Sequence, residues 1–377
     1  MGLMEKRRFM IANRIEKTQL ALQISKFDAL VLNPGPSMVY TTGLHFHLME
    51  RPVVIIFTKN QIPVIVLPKL EQQKLVDLPY AIQGIPYGEK PDEWQQVFNN
   101  AINHLRLNDK KIGMEPSSLR MLEYGFLQAA APGAKFMDAG DAISSMRLLK
   151  DTEEVNAMRR AVGIAQLALQ KTLALIKVGM TEKEVASELT LQLLRHGSEP
   201  ELVFSPIVSG GLNAANPHAN PGVRQLQVGD LLVIDWGAVV DGYVSDITRT
   251  FAIGEVETEY QKIHKIVQEA NSAGREAGKP GEPCAIVDIA ARSVIEKAGY
   301  GEFFTHRTGH GIGMEGHEEP YMRGDNLQIL QAGMAYTVEP GIYLPGRNGV
   351  RIEDDMVITT TGSESLSDLP RELIVIG

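Results

Sequence analysis

The stretch that decides the fold is Leu231 to Phe251, LLVIDWGAVVDGYVSDITRTF. Leu231 to Ile234 is a short apolar, β-prone run, and Asp241-Gly242 is a turn signal. Tyr243 to Phe251 returns with β-branched and aromatic residues, so the segment reads as a hairpin. Asp235 and Asp246 sit on its two arms at positions of opposite parity, as cross-strand neighbours around a two-residue turn do, so both carboxylates project from one face. Two like charges that close repel each other unless a proton or a cation lies between them. On the hairpin alone, one capping and one turn aspartate on a solvated face would be an equal reading.

Downstream of the hairpin, three further polar groups converge on the same chemistry. Thr308-Gly309-His310-Gly311-Ile312-Gly313 has His306 before it and His317-Glu318-Glu319-Pro320 after it. Glu339 ends the strand-like run Tyr336-Thr337-Val338 just before Pro340, and Arg351 and Glu353 share a strand face in Val350-Arg351-Ile352-Glu353-Asp354-Asp355. Two Asp, two Glu and one His form a hard, oxygen-rich donor set with a single imidazole. Such sets suit Mn²⁺, Co²⁺ or similar ions, often a pair about 3.5–4 Å apart that activates a bridging water.

Rival readings fail on context. Gly311-Ile312-Gly313-Met314-Glu315-Gly316 fits a dinucleotide fingerprint, yet no helix pattern follows it. His317-Glu318 lacks the second histidine of a helical zinc protease motif, since Tyr321 stands there. No G-x-S-x-G elbow exists, and the single cysteine, Cys284, has no local partner on its predicted helix, which argues against serine or cysteine nucleophiles and against a cysteine-held zinc.

Upstream of the hairpin, Asp151 with Glu154 and Thr181 with Glu184 read as capping boxes. The first opens a helix with Val155, Met158, Val162, Ala165, Leu169, Leu173 and Ile176 at helical spacing. The second opens one with Val185, Leu189 and Leu193 inward and Gly197 as its stop. Gly281 to Gly299 echoes Gly179 to Gly197, with Val287, Ala291 and Ile295 in register and a preceding helix carrying Tyr260, Ile263, Val267 and Ala270. Two similar halves follow, each a helix pair feeding antiparallel strands, with a site between them.

Residues 1 to about 147 have a different texture. Strands are expected at Asp28 to Asn33 and Lys111 to Met114, a hairpin at Val53 to Phe57 and Ile62 to Leu67, and helices at Pro91 to Arg106 and Ser117 to Ala130. This alternation argues for a three-layer α/β domain, giving two domains over 1–147 and 148–377. His45 and His47, spaced by two on an expected strand, could form a metal pair, but without an acidic or third histidine partner they read as a surface or interface pair.

The net charge of −9 over 377 residues, without a long basic run, excludes a typical nucleic-acid or anionic-membrane binder. The basic start, Met4 to Arg8, leads into only a brief apolar patch, and no signal-peptide core or membrane-spanning run appears. With one cysteine, a reducing, cytoplasmic location is expected.

These residues together resemble the pita-bread metallopeptidases, the family of methionine aminopeptidase, aminopeptidase P and prolidase, over essentially the whole chain. The resemblance implies a creatinase-type N-terminal domain and a pita-bread α+β domain with pseudo-twofold halves around a curved antiparallel sheet. It implies metal ligands at Asp235 in VIDWGA, Asp246 in GYVSDITRTF, His310 in HRTGHGIG, Glu339 in TVEPG and Glu353 in VRIEDD. It further implies substrate contacts at His218 in NAANPHA, His306, His317 in GHEEP, Tyr343 and Arg351, with His218, His317 and Glu339 taking part in catalysis.

All five ligand positions are kept, which argues for a hydrolase rather than a non-catalytic relative. The implied activity is exopeptidase cleavage of an N-terminal Xaa-Pro bond in dipeptides or short peptides. The implied cofactor is two divalent ions, manganese first, with cobalt or zinc as alternatives. A homodimer is expected, with His45 and His47 as contributors to its closure. Hydrolase or lyase action on a small non-peptide substrate, and peptide binding without turnover, are the alternatives on the same scaffold.

Overall fold

The computed structural model describes residues 3–76 and 78–377, with side chains from residue 11 onward except 12 and 77. The side chains of the basic start, Met4 to Arg8, lie outside the described residues. The chain divides into two compact units, Met1–Arg147 and Leu148–Gly377.

In the first unit, six strands form one mixed sheet in the order β4-β3-β2-β1-β5-β6. These are β1 (Ala29–Leu32), β2 (Val54–Thr58), β3 (Val64–Pro68), β4 (Gln83–Tyr87), β5 (Lys111–Met114) and β6 (Lys135–Asp138). Ala29, Val31, Val54, Ile56, Val64 and Val66 face a core with Trp94, Phe98, Ile102 and Leu127 from α3 (Pro91–Leu105) and α4 (Met121–Ala130). The alternate residues Leu30, Leu32, Ile55 and Ile65 are equally buried, under the layer of α1 (Leu3–Ser25), α2 (Pro36–Thr42) and α5 (Gly140–Arg147). Three layers result, and β2 and β3 pair antiparallel as the apolar runs require.

Two details differ from the sequence reading. Residues 43–49, carrying His45 and His47, form no strand, because Gly43 caps α2 in the left-handed region and the segment runs on irregularly. Lys74 Nζ donates to the His45 carbonyl at 2.7 Å. The helix expected from Ser117 begins only at Met121, since Ser118 and Leu119 are drawn into a turn on the Glu115 carbonyl.

The second unit is built from two halves that repeat each other down to single hydrogen bonds. The first half runs α6 (Thr152–Leu173), α7 (Glu182–Arg195), β7 (Ile207–Gly210), β8 (Leu231–Trp236), β9 (Val239–Val240), β10 (Tyr243–Val244) and β11 (Ile247–Ile253). The second runs α8 (Thr258–Ala277), α9 (Ala285–Lys297), β12 (Gly309–Gly311), β13 (Glu318–Met322), β14 (Ala335–Val338), β15 (Gly341–Tyr343), β16 (Gly349–Arg351), β17 (Asp354–Ile358) and β18 (Ser363–Ser365), and β19 (Ile374–Ile376) closes the chain.

Gly179 N donates to Leu226 O at 2.8 Å, and its counterpart Gly281 N to Leu330 O at 2.9 Å. Gly229 N donates to Ile253 O at 2.9 Å, and Gly333 N to Ile358 O at 2.9 Å. Val185, Leu189 and Leu193, like Val287, Ala291 and Ile295, are fully buried. Both expected capping boxes form, Asp151 with Glu154 and Thr181 with Glu184.

Each half contributes a sheet, β19-β11-β8-β7 and β13-β12-β14-β17-β18, antiparallel throughout except for β11 beside β19. An isolated bridge between Thr248 and Glu353 joins the halves. Among the described residues, no helix is long and apolar enough to cross a membrane.

Candidate metal centre

The hairpin forms as its sequence requires. β8 pairs with β11, Asp235 opposite Thr248, and β9 pairs with β10 in the same register around Asp241-Gly242, whose φ values of 52° and 76° suit a two-residue hairpin turn. Between the paired segments the arms pinch together. A Cβ on Gly237 would lie 1.8 Å from Ser245 O, so no other residue fits there. Asp246 follows that pinch, diagonal to Asp235 on the same face.

The second half brings the remaining donors to the same place. Glu339 follows β14, Glu353 lies between β16 and β17, and His310 is at the middle of β12. Donor atoms of Asp235, Asp246 and Glu353 lie within 4.8 Å of one another, as do those of His310, Glu339 and Glu353, so two triads share Glu353. A third group joins Asp246 and His310 with His317, which the sequence points to as a substrate contact and catalytic group rather than a metal ligand.

The chain itself satisfies only part of this cluster. Arg351 Nη2 donates to Asp235 Oδ2 at 2.6 Å, and Thr248 Oγ1 donates to Glu353 Oε2 at 2.7 Å. Asp235 Oδ1, Asp246 Oδ1 and Glu353 Oε1 are buried with no protein partner. Buried anionic oxygens without donors are costly, and a cation is what such a donor set accommodates.

Ionisation follows from this crowding. Burial, then the charge of Glu353, hold Asp246 and Glu339 well above the carboxylate range. Burial and the charge of Asp235 push Glu353 up to about 8. Burial pulls His310 well below the imidazole range, so its ring is neutral. Its Nδ1 lies 3.1 Å from the Gly311 carbonyl and carries the proton. The lone pair on Nε2 therefore faces Asp246 Oδ2 at 3.7 Å and Glu339 Oε1 at 3.6 Å. The residues present fit a divalent metal centre.

Around this floor lies a cavity of about 730 Å³ lined by all five donors with His218, His306, His317 and Arg351. Arg307 Nη2 donates to His317 Nδ1 at 3.2 Å, which leaves the Nε2 proton of a neutral ring free to donate. The His317 ring stands 3.8 Å from that of His310, centroid to centroid. Burial holds His306 down to about 4. With Nδ1 donating to the Arg307 carbonyl, its Nε2 accepts from the Tyr343 hydroxyl at 2.8 Å. Tyr343 does not line the cavity; it stands behind it and accepts from Arg351 Nη1 at 3.1 Å.

Several contributors were missed from the sequence. Thr248, which accepts from Arg351 Nε and donates to Glu353, is legible from the hairpin register, being opposite Asp235. Arg307 and the apolar wall of Val203, Phe204 and Ile207 carry no motif signal. Asp355, whose Oδ2 accepts from the Asp246 backbone at 3.0 Å, sits in the acidic run, where nothing in the sequence sets it apart from Asp354.

A duplicated helix-and-sheet domain holding a carboxylate-rich metal centre at its strand ends defines a pita-bread metallohydrolase. Residues 156–360 match metallopeptidase family M24 and residues 14–149 match the creatinase/prolidase N-terminal domain, so the chain belongs to that metallopeptidase family.

The chain is 34% identical to an Xaa-Pro dipeptidase of Lactobacillus helveticus over 96% of its own length and 98% of the relative's. Among solved structures it is similar to a dipeptidase of Pyrococcus horikoshii OT3, with a TM-score of 0.91 and 35% identity over 96% of this chain and 100% of that one. A recombinant prolidase of Thermococcus sibiricus gives a TM-score of 0.92 and 31% identity over 96% and 98%.

Proposed function

We propose that this metallopeptidase is an Xaa-Pro dipeptidase that works with two divalent ions, manganese first among them, as a cytoplasmic homodimer. The observation that carries the reading is the pair of ligand triads sharing Glu353 at the floor of the cavity, a donor set that would hold two divalent ions. Similarity to an Xaa-Pro dipeptidase and to solved dipeptidase and prolidase structures supports the substrate class. When bound, divalent ions lower the pKa of coordinated water and polarise a carbonyl oxygen.

The chain's own groups supply the rest. Asp235, Asp246, His310, Glu339 and Glu353 would hold the ions, and Arg351 orients Asp235 through its hydrogen bond to Oδ2. Glu339 is the group that takes the proton from the attacking water and passes it to the leaving nitrogen. His317, donating from Nε2, and His218 steady the carbonyl oxygen as negative charge builds on it. Arg307, a cation on the cavity wall, suits the free carboxylate of a dipeptide, and neutral His306 lines the approach with Tyr343 holding it from behind.

The test is hydrolysis of an Xaa-Pro dipeptide, its C-terminal amide and an Xaa-Pro-Yaa tripeptide by manganese-loaded protein. Preference for the free dipeptide is expected. Cleavage of the tripeptide at equal or higher kcat/KM would make the protein an aminopeptidase instead.

A further inference from the structure

Between His310 and His317 the chain makes a glycine-rich turn, and beneath it lies an ion pair that the chemistry above does not use. Lys150 Nζ is paired with Glu318 Oε1, and the two side chains are 1% and 7% exposed. Lys150 immediately precedes the Asp151 cap of α6 in the first half, whereas Glu318 opens β13 in the second, directly after His317. The Lys150 backbone is fixed as well, its N–H donating to Gly333 O at 2.8 Å.

The turn is folded tightly over this pair. A Cβ on Gly313 would lie 2.6 Å from Glu318 Oε1 and 2.8 Å from Lys150 Cε, so the glycine lets the turn close down on both side chains. Val244 N donates to Gly313 O at 2.8 Å, tying the same turn to the hairpin that carries Asp246. His317 is itself exposed and directly precedes β13, whose first residue, Glu318, is the buried partner of Lys150.

We infer that Lys150 is a positioning residue for His317: its buried ammonium fixes Glu318, and through Glu318 the seat of the His317 ring over His310. This rests on the dipeptidase reading for its kinetic consequence but not for its structural one. A lysine at a domain's edge would ordinarily be solvated, and a buried one is retained only where a partner holds it. A displacement of His317 by about 1 Å would lower kcat on the order of 10²-fold.

The test separates positioning from mere stability. Lys150→Met removes the buried cation that faces Glu318, so both Tm and kcat are expected to fall. In Lys150→Met/Glu318→Gln the buried carboxylate charge is gone as well, so Tm recovers while kcat stays low. Lys150→Arg, which keeps the charge, restores part of kcat.

In a His317→Ala background, Lys150→Met is expected to cost no further kcat, since both changes remove the same interaction. Recovery of kcat together with Tm in the double variant, or full additivity with His317→Ala, would overturn the inference. A crystal structure of the double variant decides it without turnover. The ring-centroid separation of His310 and His317 is expected to widen from 3.8 Å, and an unchanged separation would contradict the inference. Failure of the wild-type protein to cleave an Xaa-Pro dipeptide would sink the dipeptidase reading and leave this structural result to stand or fall by itself.

Discussion

Arg351 donates to Oδ2 of Asp235 at 2.6 Å, while Oδ1 of the same carboxylate is buried without a protein partner. The chain thus holds one oxygen and leaves the other for a cation. The guanidinium also reaches Thr248 Oγ1, Tyr343 Oη and Pro217 O, so its planar fork is used on three sides. Arg351→Met is expected to weaken metal binding by about 10- to 100-fold. Calorimetric titration of stripped protein with Mn²⁺ measures this. Arg351→Lys should fall between, since an ammonium restores charge but not the fork.

Asp246 and Glu353 each belong to two of the donor groups, so removing either breaks more than one. Asp246→Ala and Glu353→Ala are expected to abolish both bound metal and turnover. The metal-free Tm should not fall, because a crowded buried carboxyl with an unpartnered oxygen has been deleted. Metal analysis and thermal melts on the same preparations check both halves. Turnover by a variant that binds no metal would contradict the assignment.

The pH dependence of stability follows from the same groups. Asp246, Glu339 and Glu353, the last at about 8, keep protons in the folded state at pH values where the unfolded chain has lost them. Metal-free stability therefore falls as pH rises from the ordinary carboxylate range through about 8. His310 acts the other way, since its folded ring refuses a proton that the unfolded chain accepts below about 6.5. From pH 6.5 to 8 the histidine effect fades and the carboxyls dominate, so the metal-free Tm should drop across that window and the increment added by metal should grow. Scanning fluorimetry with and without Mn²⁺ shows it, and a flat metal-free profile would contradict it.

Arg307 offers the cavity wall a cation beside His317. Arg307→Met is expected to reduce the preference for a free dipeptide over its C-terminal amide by about tenfold or more, the worth of one charge-assisted hydrogen bond. Ratios of kcat/KM for the two substrates isolate this from any general effect on His317. An unchanged ratio would remove Arg307 from carboxylate recognition.

What could be read in advance was what depends on local rules. The hairpin register placed Asp235 and Asp246 on one face. The capping boxes at Asp151 and Thr181 started two helices, and paired glycines marked the repeat of the halves. Glu339 and Glu353 stood out as acidic residues at strand ends.

What escaped was what only packing creates. Lys150 and Glu318 lie far apart in sequence, and nothing local to either announces a buried pair. Asp354 and Asp355 look alike in the acidic run, yet Arg249 and Arg371 hold Asp354 far below the carboxylate range, while burial lifts Asp355 well above it. His45 and His47 were assigned to a strand on spacing alone, and the left-handed cap at Gly43 overrode it.

The central claim is that metal held by this cluster drives Xaa-Pro cleavage. The most direct measurement is hydrolysis of an Xaa-Pro dipeptide by stripped protein titrated with Mn²⁺, with bound metal determined at every point. The account predicts no cleavage without metal and activity that rises to a plateau as two ions bind per chain. Full turnover by stripped protein, or bound metal with no cleavage, would contradict it.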